Sequence, residues 1–366
     1  MGSTNLTVQQ RSAKYVDLAE QLRADVRTGR LKAGDRLPSF VELRREHQIS
    51  RGTVEKAHAL LEREGLIVRE QGRGVFVARP KSVSATGILG FIGGGFTETR
   101  TSLYWAHLLD ALQKEAARAK LQLLLLTETS DDSLWDKVDG LLISVNEEAL
   151  YPLLRHLPQS LSCVSIMNSA EDMSSVLADD YGGARDATRH LTALGHTRIG
   201  HLISGHSHLV ERRLAGYRDA LQEAGIEPSL HGLRQMHPRL SLDSKNEFAE
   251  QGRKSVQQWL SSGDWSRHHY TALLAQNDNA AVGAIEAFQD AGLRVPEDVS
   301  VIGFDGNETY DYFSPRLTTV EVPLLEIGTA AVRLLRESID RRRPETQTRV
   351  LPVSLREGGS TGPAPT

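Results

Sequence analysis

The chain has 366 residues, 39% hydrophobic and 25% charged, with a formal net charge of −4. That length supports two or three domains with real cores, and the composition is ordinary for a globular protein. No apolar run approaches the ~18 residues of a membrane span, and the opening MGSTNLTVQQRSAKY lacks the apolar segment of a secretory signal. The single cysteine, Cys163, excludes an internal disulfide and is expected as a buried core thiol within the apolar run 161–166. The expected compartment is the cytoplasm. Charge is uneven: residues 1–81 hold 16 basic against 10 acidic side chains, and the remainder 27 against 37. A basic head on an acidic body suits a protein whose head alone meets phosphate.

Tyr15, Leu18, Ala19, Leu22 and Val26 recur at helical spacing and predict a first amphipathic helix ending near Gly29. Gly34-Asp35 and Leu37-Pro38 make a turn. Ser39, with Glu42 three residues on, has the pattern of a capping box for a second helix over about 39–47 that carries Arg44 and Arg45. A third helix opens at Ser50, turns Val54, Ala57, Leu60 and Leu61 inward, and stops at Gly65. Residues 66–68 and 75–77 then alternate as strands and pair across Gly72-Arg73-Gly74. A helix whose first turn offers hydroxyl and guanidinium groups can enter a major groove.

The strings GRLKAGDRLPS, ISRGTV, ALLEREGLIV and QGRGVFV, in this order and spacing, resemble the GntR family's winged helix-turn-helix over its whole length, about 11–79. The resemblance implies that Ser39, Arg44, Ser50, Arg51, Thr53, Lys56, Gly72 and Arg73 face DNA. Ser50 and Thr53 would donate to phosphate and Arg51 would read a guanine edge. Gly72 would let the wing approach the minor groove, with Arg73 inserting or meeting phosphate. Arg44, Arg45 and Lys56 fit a solvated helix face equally well. Two positions depart from the family, which often has Arg at the place of Val41 and a basic residue at that of Glu55. Glu55 either accepts from a cytosine amino group or pairs with a helix neighbour, so operator preference is expected to differ from the family's commonest.

Residues 80–86 read as a short polar linker. Beyond them, strand-like segments (87–92, 121–126, 138–144, 162–166, 199–203, 272–275, 299–304) alternate with helical ones (104–120, 147–156, 183–194, 210–224, 251–259, 280–291). Near-continuous apolar strands between helices argue for parallel sheets covered on both faces, and such sheets bind ligands at the carboxyl ends of their strands. Gly93-Gly94-Gly95-Phe96 is not a phosphate loop, because no Gly-Lys-Ser/Thr follows it.

The strings DDYGGARDATRHLTALGHTRIGHLISG, ERRLAGYRDALQEAGI, AQNDNAAVGAIEAFQDAGLRVPEDVSVIGFDG, SPRLTTVEVP and LPVSLREGGST follow the LacI/GalR effector-binding core in order. They cover most of 87–357 and are most specific from 179 onward. The implied fold class is α/β: an N-terminal winged helix-turn-helix plus a two-lobed, periplasmic-binding-protein-like domain with parallel sheets (type I). Crossings between lobes are expected near Asp179, Thr318 and Arg342. This places lobe 1 at about 87–178 and 319–342, lobe 2 at about 179–318 and 343–357, and a tail at 358–366. The combination of head and body is similar to regulators of the arabinose-repressor type.

By the same resemblance Arg213 reaches ligand hydroxyl or carboxyl groups, and Asp305 takes two sugar hydroxyls, for which an acceptor-only carboxylate suits a vicinal diol. Asn277 offers a donor and an acceptor at a strand end, and Trp105 supplies a flat plate. The competing readings are a salt bridge for Arg213, a turn cap for Asp305, backbone support for Asn277 and a core position for Trp105. Asp278 is expected to cap the helix at 280–291. His190, His196 and His201 resemble scaffold positions and lack the partners of a metal site. The family's second acidic position is here Met167-Asn168. No cofactor is implied, and no nucleophile-base arrangement stands out. The expectation is a homodimeric DNA-binding regulator, most simply a repressor, reading a pseudo-palindromic operator under control of a small polar ligand such as a sugar. An activator, a regulator needing a co-repressor, and a cytoplasmic sugar-binding protein or enzyme are the alternatives.

Overall fold

The head is built on the apolar spacing of its helices. The computed structural model describes residues 8–27, 30–32, 34–63, 66–70, 73–77, 86–93, 103–126, 132–144, 153–154, 157, 161–169, 173–205, 207–236, 247–341 and 346–365. By contacts, residues up to Thr86 group with 131–139 and 155–162, and the rest of the chain forms a second compact unit. In the head, α1 (Val8–Arg27), α2 (Phe40–His47) and α3 (Arg51–Arg63) precede an antiparallel pair, β1 (Ile67–Glu70) and β2 (Gly74–Val77). Leu18, Ala19, Leu22, Leu43, Val54, Ala57, Leu61, Ile67 and Val77 close one core. Helix α1 starts seven residues before the expected Tyr15, since the polar stretch ahead of Tyr15 carries no apolar period. Arg36 bridges Phe76 and extends the wing sheet.

The second unit holds two six-stranded sheets. The first takes β3 (Ile88–Gly93), β4 (Gln122–Leu126), β5 (Gly140–Ser144), β6 (Ser162–Ile166), β7 (Ser174–Ala178) and β13 (Thr348–Leu351), in the order β13-β7-β6-β5-β3-β4. The second takes β8 (Ile199–Ile203), β9 (Leu233–Gln235), β10 (Ala272–Leu274), β11 (Ser300–Asp305), β12 (Thr318–Glu321) and β14 (Ser354–Arg356), in the order β14-β12-β11-β10-β8-β9. Its pairings are parallel except that of β14 with β12. Helices α4 (Leu103–Arg118) and α9 (Leu324–Arg341) pack together beside the first sheet.

Alternation along the second sheet explains its two coverings. Ile199, Leu274, Ile302 and Phe304 face α5 (Asp180–Ala193) and α6 (His208–Glu223), whereas Leu202, Leu273 and Val301 face α7 (Glu247–Ser261) and α8 (Asp278–Asp290). Helices α5 and α6 approach backbone to backbone at Gly216, where a Cβ would stand 2.2 Å from the Tyr181 carbonyl oxygen.

The chain passes from the first sheet to the second at Asp179, returns after β12, and crosses again between β13 and β14. The second and third passages therefore lie at 322–323 and 352–353, not near Thr318 and Arg342. Strands β12, β13 and β14 have three or four residues each, too few to show a period in the sequence. Arg342, Gly94–Phe96 and residues 80–85 of the expected linker lie outside the described residues. Cys163 is half-buried rather than a core thiol, although its surroundings push the thiol up to about 12.

Candidate functional sites

In the head, the start of α2 is a capping box: the Ser39 hydroxyl accepts from the Glu42 N–H at 3.3 Å and the Glu42 carboxylate accepts from the Ser39 N–H at 2.7 Å. Glu42 is held below the usual carboxylate range by these bonds to Ser39. The chain turns between α2 and α3 at Gln48, in the left-handed region with φ 47°. Helix α3 then opens on Ser50, whose hydroxyl accepts from the Thr53 N–H at 3.2 Å and sits 2.8 Å from the Thr53 hydroxyl. This first turn exposes backbone N–H groups and side-chain hydroxyls together, the arrangement that suits an anion.

Arg51 leans on the same surface. Its Nε donates to Glu55 at 2.9 Å, and its guanidinium lies 5.9 Å from the Phe40 ring. Glu55 thus takes the helix-pair alternative. Arg44, Arg45 and Lys56 are exposed, and Arg73 is exposed with its guanidinium 5.7 Å from the Phe76 ring. Gly72 lies outside the described residues. Arg36 was not singled out from the sequence, yet its side chain rests against the wing: a Cβ on Gly74 would stand 2.9 Å from its Nε. Beneath this surface His58 is 1% exposed, packs at 5.1 Å on Phe40, and has a hydrogen-bond partner on neither ring nitrogen. Burial pushes it down to about 4, with Arg69 adding to the effect.

The second site lies at the carboxyl ends of the body's strands. Arg213, on α6, is buried, and its guanidinium carbon lies over the Phe304 ring, 3.5 Å from its centroid. Its Nε donates to Asp180 at 2.8 Å, another nitrogen donates to the Gln276 carbonyl oxygen, and a third is 3.9 Å from Asp305. The guanidinium is therefore held in one plane by the first residue of α5 and the end of β10. Asp305 ends β11 in a left-handed conformation, φ 114°, which a non-glycine residue adopts only when its surroundings hold it there. A quarter of its side chain remains accessible, so it is enclosed on most sides and open on one. Burial, with Asp180 adding and Arg213 opposing, pushes it up to about 7.

Asp278 lies below, fully buried, accepting from the Asn307 N–H at 2.6 Å and bonded to the Thr319 hydroxyl. Gly303 makes room for it, since a Cβ there would stand 2.1 Å from an Asp278 oxygen. Burial, then Asp305, holds this carboxyl well above its usual range. The helix cap expected of Asp278 falls instead to Asn277, whose side-chain amide oxygen accepts from the Ala280 N–H at 2.9 Å. Asp278 is one residue inside the helix and is turned toward the sheet. One of the two lone pairs of the Asn277 amide oxygen is thus taken by the cap.

Helix α4, beside the first sheet, contributes an aromatic residue that was not chosen from the sequence. Tyr104, in the first turn of α4, feels the charges of Asp305, Asp180 and Arg213. Its hydroxyl donates to the Met167 sulfur at 3.3 Å. Trp105 is half-buried, edge-on to Tyr104 at 5.7 Å, and packs against the core. Burial first, then Asp305 and Asp180, hold the Tyr104 phenol well above its usual range. The structure brings Arg213, Asp305 and Tyr104 together, with Trp105 packed edge-on against Tyr104, whereas Asn277 serves as the cap of α8. The three histidines are scaffold: His190 meets Thr361, His196 lies among Thr271, Ser300 and the Gly362 carbonyl, and His201 donates to the Leu274 carbonyl. Among the described residues no group of three or more His, Cys, Asp or Glu could hold a metal ion, and no helix is long and apolar enough to cross a membrane.

Two family models match the chain: bacterial regulatory proteins of the gntR family over residues 14–77, and a periplasmic binding protein-like domain over 188–361. The HTH-type transcriptional regulator GalR of Escherichia coli is 34% identical over 59% of this chain and 59% of its own length. The arabinose metabolism transcriptional repressor of Geobacillus stearothermophilus is 26% identical over 90% of this chain and 92% of its own. The HTH-type transcriptional repressor PurR of Klebsiella pneumoniae is 30% identical over 74% and 79% respectively. Among solved structures, a regulatory protein of LacI family from Chloroflexus aggregans superposes with a TM-score of 0.63 at 25% identity, covering 76% of this chain and 99% of that one.

Proposed function

Because the chain belongs to the LacI/GalR family of transcription regulators and carries a GntR-type head, we propose that it is a repressor released from its operator by a small neutral sugar. The observation that carries this reading is the pairing of Arg213 and Asp305 at the strand ends. Arg213 is already committed to Asp180 and Gln276, so it is poorly placed to take a carboxylate or phosphate. Asp305 is accessible on one side and acceptor-only when ionised, which suits two hydroxyls. The Arabinose-repressor relative, matched over both head and body, supports a sugar as the class.

In the head, the first turn of α3 and the wing would dock on DNA, with Arg51 at a base edge and Ser50, Thr53 and Arg73 at phosphates. Two heads in a homodimer would read the two halves of a pseudo-palindrome. Release requires that the sugar bind the DNA-incompetent arrangement better than the competent one. The test begins with operator selection from random duplexes, followed by sugar titration of the complex. A sugar should lower operator affinity, and Asp305→Ala should bind the operator normally while losing at least tenfold in sugar response. A variant released as readily as the parent removes Asp305 from the site.

A further inference from the structure

Five non-glycine residues among those described have positive φ. Three of them follow helices: Gln48, Lys120 and His269. The other two stand at strand ends, one in each sheet. Asp305 ends β11 of the second sheet with φ 114°, and Met167 follows β6 of the first with φ 78°. A long side chain in the left-handed region is strained, and such strain persists only where neighbours hold it. Met167 is held on three sides. Its N–H donates to the Val176 carbonyl at 3.0 Å, its sulfur accepts from the Tyr104 hydroxyl at 3.3 Å, and the Ser144 hydroxyl is 3.4 Å away. The two sheets thus present matching positions that differ in chemistry: a carboxylate on one side, a thioether on the other.

That difference decides what each wall can recognise. A carboxylate accepts strongly from two hydroxyls. A thioether is a weak acceptor with no proton to give, and its polarizable surface favours carbon. The two donors that reach it, the hydroxyls of Tyr104 and Ser144, are already turned to it. Tyr104, Trp105 and Met167 also pack as partly buried apolar groups against the same core. A ligand hydroxyl brought against this wall would exchange water for a poor partner, whereas a methyl or methylene group would gain contact.

We propose that Met167 sets ligand specificity in the first lobe and that the effector is a deoxy sugar, with its hydroxyl-bearing edge on Asp305 and its unhydroxylated carbon on Met167 and Tyr104. This rests on the sugar-sensing reading above and narrows it. The test uses the full chain and matched pairs of sugars differing by one hydroxyl: L-rhamnose and L-mannose, L-fucose and L-galactose, 2-deoxy-D-ribose and D-ribose. Binding is measured by calorimetry and thermal shift. In a pair that binds, the deoxy member should bind roughly tenfold tighter or more. Met167→Asp should reverse the order. Met167→Asn, which tolerates the left-handed backbone and keeps the fold accessible if the aspartate variant is unstable, should at least abolish the preference.

Preference for the fully hydroxylated member, equal binding of both, or a preference unmoved by either variant would overturn the assignment. So would failure of all six sugars to bind. Operator release, run in parallel, separates the two levels. A fully hydroxylated sugar that releases operator through Asp305 leaves the repressor reading intact and removes only the role of Met167. Absence of any selected operator would instead overturn the repressor reading.

Discussion

His58 is a polar side chain placed where nothing answers it: 1% exposed, with both ring nitrogens unpartnered. An unsatisfied buried group of this kind costs about 1–3 kcal/mol. Its folded value of about 4 lies below the ordinary ~6.5 of an unfolded histidine. Between those values the unfolded chain binds the proton and the folded head does not, so the head loses stability as pH falls through that window. His58→Leu is expected to raise the head's melting temperature at pH 5 and to flatten its pH dependence between pH 4 and 6.5. A histidine-like slope retained in the variant would place the titrating group elsewhere.

Asp305 has the opposite sign. Its folded value of about 7 lies above the ordinary ~3.9, so the folded state keeps a proton that the unfolded chain has released. Stability therefore falls as pH rises from about 4 to 7. Asp305→Asn should melt higher than the parent at pH 8, by several degrees, while losing the sugar response. A scanning-calorimetry series in which the two melt alike at pH 8 contradicts this. Ligand binding should strengthen over pH 6 to 8 as the acceptor ionises.

These residues were not equally legible. Arg213 and Asp305 stood out because distinctive strings flank them. Tyr104 was passed over for its neighbour, since an aromatic pair in sequence does not say which ring the helix turns toward the charges. The cap expected of Asp278 fell to Asn277 because either can cap, and only the packing at Gly303 places Asp278 against the sheet.

At the scale of elements, the recognition surface proposed for the head rests on one turn of α3. Arg51 and Glu55 are four residues apart and paired at 2.9 Å, an exposed interaction of about 0.3–0.5 kcal/mol that DNA can displace. Arg51→Ala is expected to cost roughly 1–3 kcal/mol of specific binding. Glu55→Gln should raise affinity for all duplexes by removing a negative charge from the surface, read by fluorescence anisotropy at several salt concentrations. Weaker binding of the glutamine variant would mean that Glu55 itself reads a base. Val41 is 73% exposed on α2, which leaves apolar surface where the family often has a cation. Helices with clear apolar spacing were readable to about a turn, apart from the start of α1 and the whole of α9, which the sequence reading did not single out. The short strands β9, β12, β13 and β14 were not, because their order is imposed by neighbouring strands rather than by their own sequence.

At the scale of the molecule, the head and the body each have their own core, and under the proposed function ligand control acts through the assembly of two copies. Light scattering of the full chain is expected to give twice the 40.4 kDa chain mass. A monomer at micromolar concentration that still binds operator tightly would contradict the paired-head arrangement.

The threefold passage of the chain between the two sheets also fixes the order in which the protein can become competent during its synthesis. The head's core closes once Val77 has emerged, whereas the first sheet lacks an edge until Leu351 and the second until Arg356. A nascent chain could thus hold a folded DNA reader through some 280 further residues before the part that answers to ligand exists. A premature stop anywhere in that interval would leave a head without its sensor.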